Sequence, residues 1–304
     1  MTPLASKTQL PWMSIDFKNI NTETYLALIT RDGELSIMEP KDHDLLSGDW
    51  TDWMQGTGFR VCPEPARSEE ASFRVCFHHE KMPCWEAVAA GLDYRSISLA
   101  VVAMNEVKIY RTDRDHKLYM AANLENAHDL VRDVAWANGS VRGYDILATA
   151  SKDGAVRVYE LRTSSAPSPV SPTQRLKTNI QPPPPASATN TTRSGRNTPS
   201  GIGAGLLANA RMSVVQEEDE DAPGRVKQLP TMVAELTEHQ GAVWKVTFSF
   251  NGMCLVFRML CTLLTDFSGE LLMSTGDDGT VRTWKRAVTG EWLEYAQIET
   301  EDLE

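Results

Sequence analysis

Two cysteines and two histidines lie close together in the sequence and are of types that bind metal ions. They are Cys76, His78, His79 and Cys84. Zinc sites usually combine paired CxxC or HxxxH units, and neither is present here. If this stretch forms a regular strand, Cys76 and His78 lie on one face and His79 on the other. We therefore expect the end of a half-buried strand, with a metal site as the minor alternative.

The other patterns that could carry chemistry favour structural roles. Asp277 and Asp278 could form a pair of metal-binding carboxylates, but Gly279 follows them directly and makes a tight turn the better interpretation. The glycine-rich run 201–205 lacks the Lys-Ser/Thr that a phosphate-binding loop requires. No Ser/His/Asp or Cys/His arrangement stands out. We expect a protein without a cofactor and without enzymatic activity.

Composition limits the class of protein. The 304 residues contain 41 acidic and 30 basic side chains, a net charge of −11, which argues against general binding to nucleic acid. The N-terminus lacks the apolar segment of a signal peptide, and the most apolar window, Met253–Leu264, is too short to span a membrane. We expect a soluble intracellular protein.

A linker interrupts the folded part of the chain. Residues 163–228 are rich in Pro, Ser, Thr, Asn and Gly and carry too little apolar surface to offset the entropy of ordering, so we expect a disordered loop. Ser168, Ser171 and Thr198 each precede a proline there. These dipeptides are either chance products of the composition or phosphorylation sites.

An internal repeat organises the rest of the chain. Its copies span 12–39, 72–111, 127–160 and 238–285. Each reads as an alternating strand, a buried strand of small residues, a tight turn and a third strand. An outer strand follows each copy, at or near Trp50–Met54, Lys117–Leu124, Met232–Leu236 and Trp292–Ile298. Four antiparallel strands per unit predict an all-β propeller, with three blades in 1–162 (the third completed after the linker) and the remainder in 229–304.

The repeats resemble the WD-repeat family. In the last copy His239, Ser274, Asp278 and Trp284 match the residues that form a buried hydrogen-bond network in that family. In the preceding copy the matching residues are His128, Thr149, Asp153 and Tyr159, with Tyr in place of Trp. The chain departs from the family pattern because it contains no Trp-Asp or Gly-His dipeptide.

Within that family, the chain resembles the WD-repeat nucleoporins of the Y-shaped nuclear pore coat, paralogues of the COPII cage WD-repeat protein. The likeness rests on AVWKVTFSFNG, TGDDGTVRTWK, HDLVRDVAWA and LATASKDGAVRVYEL. It implies a non-enzymatic scaffold at the nuclear envelope, with an open propeller that an α-solenoid nucleoporin closes by donating a blade. It also implies that the protein is a subunit of a vacuolar or lysosomal coat-like complex that regulates TOR signalling. The alternative is a WD-repeat adaptor of a vesicle coat or a ubiquitin ligase.

Two features depart from a regular six-blade ring. Only four blades are legible, so either two N-terminal blades are missing from the gene model or the protein is a short member of its group. Residues 253–268 also separate two strands that would otherwise join as a hairpin. We interpret this segment as a retained intron, with an apolar insertion that docks a partner as the alternative.

Aromatic and apolar residues of the last blade are the candidates for a partner interface. We expect Val243, Trp244, Phe248, Trp284 and Trp292 to contribute to the closing side of the ring, most of them also as core. A second aromatic group lies in the sequence DWTDW, 49–53. It is either an outer strand packed on its own blade or an aromatic anchor for a partner.

Overall fold

A computed structural model describes residues 11–20, 22–44, 48–53, 59–138, 143–163, 224–249 and 271–299. All of them belong to one of the two compact units into which the chain divides. The suspected insertion, 253–268, and residues 164–223 of the linker lie outside the described residues.

The described chain forms four antiparallel sheets, which we call blades 1 to 4 in chain order. The strands of the first two blades are β1 (Trp12–Ile20), β2 (Glu23–Thr30), β3 (Glu34–Pro40), β4 (Trp50–Asp52), β5 (Phe59–Arg60), β6 (Phe73–Phe77), β7 (Ser98–Ala103), β8 (Glu106–Thr112) and β9 (Leu118–Leu124). A short helix, α1 (Trp85–Ala89), lies between β6 and β7. The strands of the last two blades are β10 (Val131–Trp136), β11 (Asp145–Ser151), β12 (Val156–Thr163), β13 (Gln228–Leu236), β14 (Val243–Phe248), β15 (Leu271–Gly276), β16 (Thr280–Arg286) and β17 (Trp292–Glu299).

The predicted all-β fold with four repeated blades is confirmed. In each blade the strands pair in chain order, and in blade 1 the additional strand β5 pairs with β3 beside β4. The described residues include both ends of the predicted linker, Thr163 and residues 224–228. Thr163 is the last residue of β12, and β13 begins at Gln228 rather than near Met232, because Gln228 is held by buried side chains of blades 2 and 3.

The turn between the second and third strands depends on backbone conformation. Gly33, Gly154 and Gly279 occupy it in blades 1, 3 and 4 with φ of 79°, 87° and 68°, a region that glycine adopts without steric cost. Blade 2 places Met104 there with φ of 62°. This turn therefore keeps the left-handed conformation without the residue that favours it.

The blades pack side by side through their first strands. β1 packs on β6, β6 on β10, and β10 on β14. A separate apolar cluster fills each of the three junctions. Polar side chains add hydrogen bonds across the first and the last of these junctions: Asp16 Oδ2 accepts from the Phe77 N–H at 2.7 Å, and Asp133 Oδ2 accepts from the Val246 N–H at 3.1 Å.

A buried charge network joins blade 2 to blade 3. The fully buried Arg111 guanidinium lies 2.6 Å from Asp145 Oδ2 and donates to Gln228 Oε1 at 3.0 Å. Burial opposes ionisation of Asp145, but the charge of Arg111 prevails and holds the pKa of Asp145 below its ordinary value.

No described helix is long and apolar enough to cross a membrane.

Candidate functional site

The four residues matched to the WD-repeat pattern in blade 4 form one continuous chain of hydrogen bonds. His239 Nδ1 lies 2.9 Å from Asp278 Oδ2, and His239 Nε2 lies 2.8 Å from Ser274 Oγ. The Trp284 indole N–H donates to the same Ser274 oxygen at 2.9 Å. Because an ionised carboxylate only accepts, Nδ1 donates to Asp278, and in the neutral imidazole Nε2 then accepts from the serine hydroxyl. Trp284 is fully buried, so the network fixes the turn to the core of the blade.

Asp278 is the charged end of this network. Burial acts to raise its pKa, but hydrogen bonds from the Thr280 N–H, His239, the Thr280 hydroxyl and the Gln240 N–H outweigh that effect and lower the pKa to about 2. Gly276 lets the chain pass close to the imidazole, because a Cβ there would lie 2.9 Å from Ala242 O and 3.1 Å from His239 Nδ1. Sequence reasoning did not single out Gly276, although it lies within the repeated turn motif.

Blade 3 holds the corresponding turn in a different way. The His128 side chain is exposed, and only its backbone N–H reaches Asp153 Oδ2, at 3.1 Å. The Arg157 guanidinium lies 2.8 Å from Asp153 Oδ2 and takes the place of the imidazole. Thr149 and Tyr159 are both buried, and burial raises the pKa of Tyr159 to about 12. The expected histidine is therefore replaced by an arginine from the third strand.

The residues expected at a partner interface in blade 4 lie mostly in the junction with blade 3. Val243, Trp284 and Trp292 are buried in the cluster between these blades, and Phe248 packs against it. Only Trp244 is largely exposed, at 47%. Its indole N–H donates to Asp277, and the Arg132 guanidinium lies 4.5 Å from the centre of its ring. In this arrangement Val243, Trp284 and Trp292 are core residues.

The open face of blade 4 is built from positions that pack against a neighbour in blade 3. The strand pairing of the two blades shows which residues occupy corresponding positions. Leu271, Met273, Thr275, Val281 and Thr283 of blade 4 correspond, in that order, to Ile146, Ala148, Ala150, Val156 and Val158 of blade 3. The blade 3 residues are at most 2% exposed because blade 4 covers them. In blade 4, all of the set except Thr283 are partly exposed.

Blade 1 exposes an apolar face at the other end of the array. Met13, Ile15 and Phe17 alternate along β1 and are 39%, 55% and 48% exposed. Ser14 and Asp16, on the opposite face of the same strand, accept hydrogen bonds from blade 2. The exposed stripe therefore points away from the neighbouring blade. The alternation of apolar and polar residues in β1 carried this signal, which the sequence analysis did not use.

The cysteines and histidines considered as metal ligands are dispersed. His78 is buried against Trp136, with 5.1 Å between ring centres, and burial lowers its pKa to about 4. His79 Nε2 instead lies 3.4 Å from Asp16 Oδ2. Burial raises the pKa of both Cys76 and Cys84 to about 12. Within the described ranges, no three metal-binding side chains converge on one point.

Repeated antiparallel blades of four or five strands, packed through their first strands, are the architecture of a β-propeller. The His–Ser–Asp–Trp network of blade 4 is similar to that of WD-repeat proteins. The WD domain, G-beta repeat family matches residues 230–285. A solved structure of Sqt1 from Saccharomyces cerevisiae covers 92% of this chain and 48% of its own, with a TM-score of 0.46 and 7% identity.

Among curated proteins, the chain is similar to nucleoporins named SEH1, which confirms the resemblance to WD-repeat nucleoporins. It is 28% identical to the protein of Chaetomium thermophilum over 95% of this chain and 62% of the relative. It is 28% identical to the Saccharomyces cerevisiae protein, over 64% of this chain and 45% of the relative. The Schizosaccharomyces pombe protein is 24% identical over 86% of this chain and 56% of the relative. The chain thus spans less than two thirds of the length of these relatives.

Proposed function

We propose that this chain is a non-enzymatic scaffold subunit of the outer-ring coat of the nuclear pore complex, serving transport of protein and mRNA across the nuclear envelope. The similarity to SEH1 nucleoporins along 95% of the chain supports this assignment. The described surface offers apolar faces at both ends of an open blade array, which suits a subunit whose task is to hold other proteins.

The mechanism we propose is completion of the array by a partner. An α-solenoid nucleoporin donates a small antiparallel sheet that packs on an open end blade, and its strands extend the blade edge by β-augmentation. One observation carries this proposal. Met273 and Val281 occupy positions that are covered in blade 3, yet they remain partly exposed in blade 4. Burial of that apolar surface would supply most of the affinity.

A second setting for the same scaffold follows from the resemblance to the nuclear pore coat group. We propose that the chain also serves a coat-like complex at the vacuolar or lysosomal surface that regulates TOR signalling. A surface that accepts a donated blade can serve in either assembly.

Co-purification tests the nuclear pore assignment and the docking face together. The full chain is co-expressed with the α-solenoid nucleoporin of the Y-shaped coat from the same organism, and size-exclusion chromatography with light scattering should show a one-to-one complex. Met273→Glu should weaken that complex at least tenfold, because it places a charge in the proposed contact. The matched control is Val288→Glu, at a fully exposed position of the turn between β16 and β17 of the same blade.

The outcomes separate the parts of the proposal. If Met273→Glu, folded as judged by its thermal unfolding, binds as well as the wild type, the partner does not use the open face of blade 4. If the wild-type chain ignores the nucleoporin and instead purifies with components of a vesicle coat or a ubiquitin ligase, the adaptor function replaces the scaffold function.

A further inference from the structure

A cleft of about 680 Å³ opens where the outer part of blade 1 meets blade 2. Its walls come from β2 to β5 of blade 1 and from the turn between β8 and β9 of blade 2. This cleft is separate from the exposed stripe of β1 and from the open face of blade 4. It includes Trp53, the last residue of the DWTDW sequence, which the sequence analysis considered as a partner anchor.

Aromatic rings form one side of the cleft. Tyr25 and Trp53 meet edge to face, with 5.2 Å between ring centres and an angle of 73° between their planes. His116 extends this wall from blade 2, at 6.1 Å from Trp53, and His43 adjoins Tyr25 at 6.4 Å. The near-perpendicular rings make a corner rather than a slot, which suits a compact group better than a flat one.

The cleft is strongly acidic. Carboxylates of Glu23, Glu39, Asp52 and Asp115 line it, against a single ammonium, that of Lys117. The Tyr25 hydroxyl donates to Glu23 Oε2 at 2.7 Å. Burial, together with this hydrogen bond and the negative charges of the carboxylates, holds the pKa of Tyr25 above its ordinary range. The electrostatic potential inside the cleft therefore repels anions and attracts cations.

Backbone contacts hold the two walls in place. The Trp53 N–H donates to Ile37 O at 2.8 Å, which ties the indole to the central part of blade 1. His116 has a φ of 59°, a strained conformation for a residue other than glycine. Its turn is fixed by Asp113, whose Oδ1 accepts from the Asp115 and Lys117 N–H groups at 3.0 and 2.9 Å. Residues held in a strained backbone conformation by surrounding hydrogen bonds are found most often at ligand-binding sites.

We propose that this cleft binds the ammonium group of a lysine side chain presented by a basic peptide segment of a partner protein. Aromatic faces attract a cation through their quadrupole, and the carboxylates supply charge-assisted hydrogen bonds to its three N–H donors. The volume exceeds that of one side chain, so the flanking residues of the peptide have room to enter. The open blade faces play no part in this contact, so it adds a second binding site to the scaffold.

Nuclear magnetic resonance on the full-length ¹⁵N-labelled protein tests the site directly. The probe is an acetylated and amidated seven-residue peptide of glycine and serine with one central lysine, at about 50 mM salt. It should shift the indole N–H signal of Trp53, identified by its loss in Trp53→Phe, and the shift should saturate. The same peptide with norleucine in place of lysine keeps the alkyl chain without the charge. It should bind at least tenfold more weakly.

Charge variants separate a specific site from general attraction to an acidic protein. Asp115→Asn and Glu39→Gln should each weaken lysine-peptide binding about threefold or more. The matched control is Glu299→Gln in β17, an exposed carboxylate of another blade, which should leave binding unchanged. The proposal is overturned if the norleucine peptide binds equally well, if the lysine peptide causes no saturable shift of Trp53, or if Glu299→Gln weakens binding as much as Asp115→Asn.

Discussion

Replacement of Ser274 by alanine removes the hydroxyl that links His239 to Trp284 in blade 4. The Ser274 oxygen is within hydrogen-bond distance of both partners, 2.8 Å from His239 Nε2 and 2.9 Å from Trp284 Nε1. Both side chains are buried, the indole completely. Alanine therefore leaves two polar nitrogens without a partner in the core of the blade.

The expected loss of stability follows from those two nitrogens. A buried donor or acceptor left without a partner costs about 1–3 kcal/mol. Two such groups, partly relieved by local adjustment, give a decrease of about 2–4 kcal/mol in the free energy of unfolding. For a folded unit of this size, that corresponds to a decrease of about 5–12 °C in melting temperature.

Urea unfolding and amide hydrogen exchange measure this effect at two levels. Urea unfolding gives the total change, and hydrogen exchange should show that protection falls first in β14 to β16, because the network joins the start of blade 4 to its second and third strands. The control is Thr289→Ala, whose hydroxyl is exposed in the turn between β16 and β17 and whose loss should change stability by less than about 0.5 kcal/mol.

A small effect would refute the reasoning. If Ser274→Ala and Thr289→Ala unfold at the same urea concentration, the hydrogen-bond chain contributes nothing net to the blade. If protection instead falls equally in all four blades, the network does not act locally, and the blades unfold as one unit.

Two further predictions concern buried charges. Asp145→Asn leaves the Arg111 guanidinium buried without its counter-charge and should lower the free energy of unfolding, measured in urea, by about 3–5 kcal/mol. The double variant Arg111→Met with Asp145→Leu should regain most of that loss. If the two changes instead lower stability additively, the reasoning is contradicted. Asp278, whose pKa is lowered from 3.8 to about 2, binds its proton less readily when folded than when unfolded, so its contribution is complete above about pH 4 and is lost as pH falls toward 2. The stability difference between wild type and Asp278→Asn, followed by thermal unfolding from pH 6 to 2, should therefore shrink at the acid end, and a constant difference would show that the carboxylate charge is not involved.

Local sequence was sufficient to predict the blades. Alternation of apolar residues specifies a strand with two faces, and Asp-Gly specifies the turn between the second and third strands of blades 1, 3 and 4, so these hairpins follow from neighbouring residues. The resemblance to the WD-repeat pattern implied a network of His239, Ser274, Asp278 and Trp284, and these side chains are hydrogen-bonded to one another in blade 4. In blade 3, where the pattern has Tyr159 in place of Trp, the Arg157 guanidinium contacts Asp153, and His128 reaches it only through its backbone N–H.

The features that the sequence did not predict depend on how one blade packs against another. Strand alternation assigns Val243 and Phe17 equally well to a core or to an interface, and only the packing of neighbours buries the first completely and leaves the second 48% exposed. The contact between Arg111 and Gln228 joins residues 117 positions apart, and the acidic aromatic cleft likewise draws its walls from two blades. The sequence by itself determined the repeated strands of each blade, the Asp-Gly turns and the number of blades described, since these are set by contacts between near neighbours in the chain. The tertiary structure alone decided which apolar faces stay open and where charges gather, because both depend on surfaces brought together across blade junctions.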